Sequence, residues 1–254
     1  MQTLLSYKDF TPGQEKAIAL SIGTFDGVHL GHQAILKGLR NHSHSVVLTF
    51  SNHPSDILRP FPPACFLHTT SHKLSLLKHF GIQTTILIPF TEELSLLPAE
   101  AFIASLRESI PFTYLILGHD AVIGHQRQGN REVLAKVAEK ERFSLEYIPS
   151  VSVGGSPVSS SRIRSLLQQG NFGATKELLG RPYSIQTEAT RYREEEGGVL
   201  WKATLSRLCL PPRGTYRAEI DGRPAKVTFK DRGELEVVSD YDSGSTHLEI
   251  FLDQ

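Results

Sequence analysis

A short apolar run, Ala17-Ile18-Ala19-Leu20-Ser21-Ile22, passes directly into Gly23-Thr24-Phe25-Asp26-Gly27-Val28-His29-Leu30-Gly31-His32, and no other junction constrains this chain as strongly. A run of that kind forms a buried strand. Beyond it Leu30, Ala34, Ile35 and Leu39 recur at helical spacing, so a helix is predicted to start near His29. Gly23, Gly27 and Gly31 then lie in a strand-to-helix turn. There the backbone can approach a ligand, and the helix N-terminus offers free N–H groups to phosphate. His29 and His32 share a face of the first turn. Two imidazoles beside such a helix end suit charge stabilisation on a transferring phosphoryl group. The turn is not a Walker loop, because no Lys-Ser or Lys-Thr follows a glycine run, and it is not a G-x-G-x-x-G dinucleotide fingerprint. As a zinc site it lacks cysteine partners and an H-E-x-x-H helix.

Alternating strand and helix patterns continue for over a hundred residues. Residues 1–16 are read as a lead-in, turning at Thr11-Pro12-Gly13. Ser45–Phe50, Thr84–Ile88, Tyr114–Leu117 and Leu145–Ile148 read as further strands. Between them the pattern predicts a helix at 72–80 capped by Ser71 and stopped at Gly81, one starting at Pro98, and one from Arg131 to about Arg142. The Pro-rich stretch from Ile57 to Thr70 and residues 121–130 read as loops. This alternation implies an α/β fold with a mostly parallel, doubly wound sheet. Ligands bind such sheets beyond the carboxyl ends of the strands. Gly23, Asn52 and Gly118 fall at that edge.

The string Ser159-Ser160-Ser161-Arg162-Ile163-Arg164 opens another helix. Arginine is disfavoured at the positive end of a helix unless an anion sits there, so Arg162 and Arg164 mark a second phosphate site. From Tyr183 the character changes to short strands separated by Pro-Pro, Asp-Gly, Arg-Gly and Ser-Gly turns, the mark of a small antiparallel β domain. The run Arg191–Glu196 reads as a solvated turn.

A chain of 254 residues has room for these two domains. Lys plus Arg and Asp plus Glu both number 27, so no basic excess points to nucleic acid or a membrane surface. Cys65 and Cys209, far apart in sequence, read as free thiols of a reducing compartment. No basic-then-apolar leader and no span-length apolar run is seen, so the expected location is cytoplasmic.

Three strings together resemble the bacterial FAD synthetase family: Gly23-x-Phe25-Asp26-Gly27-Val28-His29-x-Gly31-His32, Ser159–Arg164, and Leu179-Gly180-Arg181-Pro182-Tyr183. The resemblance covers residues 17–185. It implies a Rossmann-like FMN adenylyltransferase domain at 1–182 and a divergent, shortened riboflavin-kinase-like β domain, a six-stranded barrel in that family, at 183–254. Gly23, Phe25, Asp26, Gly27, His29 and His32 would line the ATP site together with Ser160, Ser161 and Arg162. His29, His32, Arg162 and Arg164 would be catalytic. Asn52, His53, Gly118, Asp120 and Arg127 would face flavin, and magnesium would arrive with ATP.

The chain departs from the family in named places. Gly118-His119-Asp120-Ala121-Val122-Ile123-Gly124 has aliphatic residues where the family has two phenylalanines. Thr24 replaces the family's Asn, and Asn52 its Glu. No Gly-Phe-Pro-Thr-Ala-Asn stretch follows Tyr183; the corresponding region is Glu194–Ser206. Leu248–Asp253 looks like the strand bearing the kinase's catalytic Glu, which would be Glu249, and the helices that normally close that domain do not follow. The expectation is FAD synthesis from ATP and FMN with lost kinase activity. Rivals are an H-x-G-H nucleotidylyltransferase with another phosphate acceptor and a flavin- or nucleotide-binding regulator without turnover. A class I aminoacyl-tRNA synthetase fits less well, for want of a Lys-Met-Ser-Lys-Ser-like stretch. Oligomeric state is left open.

Overall fold

A computed structural model describes residues 1–13, 17–58, 65–193 and 198–252. The chain divides into two compact units, one formed by 1–64 and 74–151, the other by 65–73 and 152–254.

The first unit contains β1 (Gln2–Leu4), β2 (Ile18–Ile22), α1 (Leu30–Leu39), β3 (His44–Phe50), α2 (Ser55–Leu58), most of α3 (Thr70–His79), β4 (Thr84–Ile88), α4 (Glu92–Leu96), α5 (Ala99–Ser109), β5 (Tyr114–Gly118), α6 (Arg131–Glu141) and β6 (Ser144–Ile148). Its sheet runs β1-β4-β3-β2-β5-β6, every pairing parallel. Alternate strand residues serve opposite faces. Leu20, Val46, Leu48, Leu115 and Leu117 pack with Phe102, Ile103 and Leu106 of α5 and Leu134 and Val137 of α6. Ala19, Val47 and Ile116 pack with Ile35, Leu36 and Leu39 of α1 and with Leu76 and Leu77 of α3. Both faces are covered, which is why these strands read as continuous apolar runs. Strand order reverses at β2, between β3 and β5, so the crevice of the doubly wound sheet opens where β2 ends, at Gly23.

Three local expectations are corrected. The lead-in contains β1, an edge strand of three mostly exposed residues that has no apolar run to announce it. The helix expected from His72 starts at Thr70, because the Thr69 hydroxyl accepts the His72 N–H at 3.2 Å in place of Ser71. The unpredicted α4 buries no residue and rests on the Thr91 cap.

The second unit contains the hairpin β7 (Ser152–Val153) and β8 (Ser156–Pro157), helices α7 (Ser160–Gln168) and α8 (Phe172–Leu179), and β9 (Tyr183–Glu188), β10 (Thr190–Arg193), β11 (Val199–Thr204), β12 (Gly214–Ile220), β13 (Arg223–Phe229), β14 (Glu234–Ser239) and β15 (His247–Leu252). The last seven form an antiparallel sheet ordered β10-β11-β14-β13-β12-β15-β9. One face is buried around Trp201, Ile185, Val227, Val237 and Ile250, giving the in-out alternation of β14 and β15. The resemblance implied six strands; the seventh is β10. Arg191, Tyr192 and Arg193, read as turn, pair with β11, since an edge strand tolerates charge on its open side. Residues 194–196 of that run lie outside the described residues.

The cysteine reading is also corrected. Cys65 and Cys209 are joined in a disulfide across 144 residues of sequence, with Cα atoms 5.0 Å apart. A parallel bridge between Phe66 and Leu208 brings them together: Phe66 N–H donates to Arg207 C=O and Cys209 N–H to Phe66 C=O, both at 2.7 Å. Distance along the chain said nothing about distance in space. Among the described residues no helix is long and apolar enough to cross a membrane.

Candidate active site

The turn leaving β2 is held in an unusual backbone conformation. Phe25 and Val28 have φ of 49° and 40°, and Gly27 between them has φ of 83°. A left-handed non-glycine residue costs about 1–3 kcal/mol, and for a β-branched one it is a marked outlier. Burial offsets this: Phe25 and Val28 are 1% and 0% exposed and pack beside α1. Hydrogen bonds fix the rest. Gly23 N–H donates to Leu48 C=O at 3.1 Å, the Thr49 hydroxyl to Thr24 C=O at 3.0 Å, and the Gln33 side-chain amide to Val28 C=O at 2.9 Å.

The turn delivers two imidazoles to the start of α1. His29 is its N-cap: His29 Nδ1 accepts the His32 N–H at 3.4 Å. In the neutral ring the proton therefore sits on Nε2, making that nitrogen a donor. The His29 and His32 rings stack with centroids 3.7 Å apart, and Phe25 lies against His32 at 5.1 Å. Asp26 is buried in the same turn. Gly23, Phe25, Asp26, Gly27, His29 and His32 are thus one constellation. Donor imidazoles and helix N–H groups can bind and neutralise phosphate oxygens.

The neighbouring strands contribute at the same sheet edge. Asn52, after β3, has both ends of its amide engaged: Nδ2 donates to Phe90 C=O at 2.9 Å and Oδ1 accepts Phe90 N–H at 2.7 Å. His53 Nδ1 lies 2.7 Å from the Ser55 hydroxyl. Gly118 ends β5, and Asp120 is exposed beside His119 at 3.7 Å. The loop that follows is clamped. Ile123 and Gly129 exchange backbone hydrogen bonds at 3.1 and 2.9 Å, and His125 N–H donates to Leu97 C=O at 2.8 Å. A Cβ on Gly129 would meet Ile123 O at 2.2 Å and one on Gly124 would meet Ala99 N at 2.5 Å, so both positions demand glycine. Ile123 is buried in the core, which accounts for an aliphatic residue there. Arg127 is exposed at the loop's tip with φ of 60°.

In the second unit, Ser160, Ser161, Arg162 and Arg164 open α7. Ser159 caps it, accepting the Arg162 N–H at 3.3 Å. One amino group of Arg162, Nη1, donates to the carbonyls of Val153, Ser156 and Pro157 at 3.0, 2.9 and 3.4 Å, tying the β7–β8 hairpin to the helix. Arg164 Nε donates to Cys65 C=O at 2.9 Å.

A buried polar cluster in this unit was not anticipated. The His68 and His72 rings stack at 4.2 Å, and Arg181 Nη2 lies 3.0 Å from His68 Nε2. Glu249 accepts from the Ser184 hydroxyl at 3.0 Å and lies 3.6 Å from His72 Nε2. Burial, then the Arg181 charge, lower the His72 pKa to about 4 despite the nearby Glu249 carboxylate. Burial and then the His72 and Arg181 charges push His68 well below the usual range. Burial brings Arg181 down to about 10. Both imidazoles are therefore neutral near pH 7. Two histidines in a Thr-rich stretch gave no periodic signal that could have revealed this.

Comparison with known proteins agrees with the geometry of the first unit. The family model described as FAD synthetase matches residues 11–162. The bifunctional riboflavin kinase/FMN adenylyltransferase of Buchnera aphidicola subsp. Schizaphis graminum is 33% identical over 174 residues, 66% of this chain and 56% of that protein, so the match spans little more than half of that relative. The protein of the same description from Escherichia coli K12 is 26% identical over 87% of this chain and 74% of its own length. A Listeria monocytogenes protein named FAD synthetase is 27% identical over 85% of this chain and 87% of its own. The crystal structure of a protein described as a macrolide-efflux protein from Streptococcus pneumoniae shares the fold, with a TM-score of 0.82 at 21% identity over 99% of this chain and 88% of that one.

Proposed function

The chain belongs to the FAD synthetase family, and from that membership we propose that it transfers the adenylyl group of ATP to FMN, releasing pyrophosphate. The observation that carries this reading is the stacked His29–His32 pair on a strained turn at the N-terminus of α1, where the sheet order reverses. An FMN phosphate oxygen attacks the α-phosphorus of ATP. A new P–O bond forms as the bond from that phosphorus to the bridging oxygen breaks, and the bridging oxygen leaves with pyrophosphate. The attacking group is already an anion, so no protein nucleophile is needed, and catalysis consists of alignment and charge neutralisation.

His29, through Nε2–H, and His32 donate to phosphate oxygens, with the first-turn N–H groups of α1 beside them. Ser160, Ser161 and Arg164, at the start of α7 in the second unit, are the further donors we assign to a phosphate group on the family resemblance. Arg162 adds charge from a guanidinium already held by three carbonyls. Magnesium enters bound to ATP, as part of that substrate. His53, Gly118, Asp120 and Arg127 form the flavin side, while Asn52, its amide committed to Phe90, shapes the wall.

We further propose that riboflavin is not phosphorylated, so FMN must be supplied ready-made. The missing Gly-Phe-Pro-Thr-Ala-Asn stretch supports this, as does a Glu249 carboxylate already engaged by Ser184. The test is chromatography of flavins after incubation with magnesium, ATP and either FMN or riboflavin. FAD from FMN and no product from riboflavin is expected. FMN or FAD from riboflavin overturns the kinase reading, and failure to make FAD from FMN overturns the transferase reading.

A further inference from the structure

We propose that Gln33 and Thr49 are positioning residues for this transfer, a proposal that rests on the reading above. Each holds a carbonyl at one end of the strained turn. Thr49, fully buried on β3, donates its hydroxyl to Thr24 C=O at 3.0 Å, just before the left-handed Phe25. Gln33, on α1, donates its side-chain amide to Val28 C=O at 2.9 Å, and its backbone N–H to His29 C=O, also at 2.9 Å. These bonds fix the peptide planes on either side of the Phe25–Val28 segment.

The consequence follows from backbone geometry. A left-handed valine escapes its strain by rotation about its own N–Cα bond, which would carry Val28 C=O, and the peptide it belongs to, away from its present direction. The Gln33 amide opposes that rotation. The same peptide carries the N–H of His29, whose φ of −72° and ψ of 174° set it as the cap of α1. If the peptide turns, the His29 ring moves, and with it the 3.7 Å stack on His32 and the Nδ1 contact that leaves the proton on Nε2. Thr49 does the same for the entry to the turn. Neither residue touches substrate in this reading; both act through the direction of His29.

Thr49→Val removes the hydroxyl at nearly constant volume, Gln33→Leu removes the amide, and Thr49→Ser restores a hydroxyl. For the first two, kcat for FAD formation should fall by about 10²-fold, the scale of a misplaced reacting group, with affinity for a non-hydrolysable ATP analogue changing far less. Thr49→Ser should recover most of the rate. The second readout is the ¹⁵N spectrum of histidine-labelled protein. His29 should show the Nε2–H form in the parent, a shifted or averaged signal in Thr49→Val and Gln33→Leu, and the parent signal in Thr49→Ser. Unmoved His29 resonances in both deletions overturn the proposal, whether or not kcat falls, and so does Thr49→Ser behaving like Thr49→Val. If the parent makes no FAD from FMN, the transferase reading fails, and the His29 resonances still decide this one.

Discussion

His29 combines two tasks that substitution can separate. Its Nδ1 closes the first turn of α1, and its Nε2–H is the donor assigned to phosphate. His29→Ala removes both, while His29→Asn keeps an oxygen that can cap. Both variants should lose turnover by about 10²- to 10³-fold, as expected for a lost preorganised donor. Only His29→Ala should also lose about 1 kcal/mol of stability in urea melts. Turnover of His29→Asn within a few-fold of the parent would mean that capping, not donation, is what His29 supplies. This pair was legible in the sequence because its spacing coincides with a strand, a turn and a helix start. The partners of Arg162 were not, since they are carbonyls of a hairpin with two-residue strands that no periodicity marks. The partner of Asn52 was hidden for the same reason: its amide is matched to the backbone of Phe90, thirty-eight positions away. Thr49 and Gln33 look, in sequence, like any threonine in a strand or glutamine in a helix.

At the scale of elements, burial decided what could be read. β2 to β5 are covered on both faces and were visible as apolar runs, and β12 to β15 are covered on one face and showed alternation. Elements that bury little, such as β1 and α4, left no such trace. The polar cluster of the second unit was hidden for a different reason. It is assembled from the segment around His68, the start of α3, Arg181, Ser184 on β9 and Glu249 on β15, which only the fold brings together. It gives stability a pH dependence of definite sign. His72 has a folded pKa of about 4, below the ordinary 6.5, so the unfolded chain binds more protons between those values. Its contribution is complete above about pH 6.5 and falls as acid is added, by about 3 kcal/mol at pH 4. His68 shifts in the same direction. Melting temperatures at pH 7.5 and 4.5 should therefore drop more for the parent than for His72→Gln, which carries no titrating group there. Equal drops would show that His72 is already charged in the folded protein.

For the whole molecule, the balance of 27 basic and 27 acidic residues says little about how the chain is held together, whereas two cysteines say a good deal. The disulfide joins the short segment 65–73, which interrupts the first unit along the chain, to the second unit's Cys209. The same segment carries His68 and His72, and its Cys65 carbonyl accepts from Arg164. Closing a loop of this length restricts the unfolded chain, for which about 2–5 kcal/mol of stabilisation is typical. Reduction by a dithiol, or Cys209→Ser, should lower the stability extrapolated to zero urea by a corresponding amount and steepen the transition, because the released unfolded chain is less compact. The direct check is iodoacetamide labelling in urea with no reductant present, because Cys209 is buried in the folded state and would escape the reagent even as a thiol. Mass spectrometry should find neither cysteine alkylated and one cross-linked peptide pair, with both sites labelled once a dithiol is added. Labelling of both in urea alone would return Cys65 and Cys209 to the free thiols that their spacing suggests, leaving the bridge between Phe66 and Leu208 to hold that segment by hydrogen bonds.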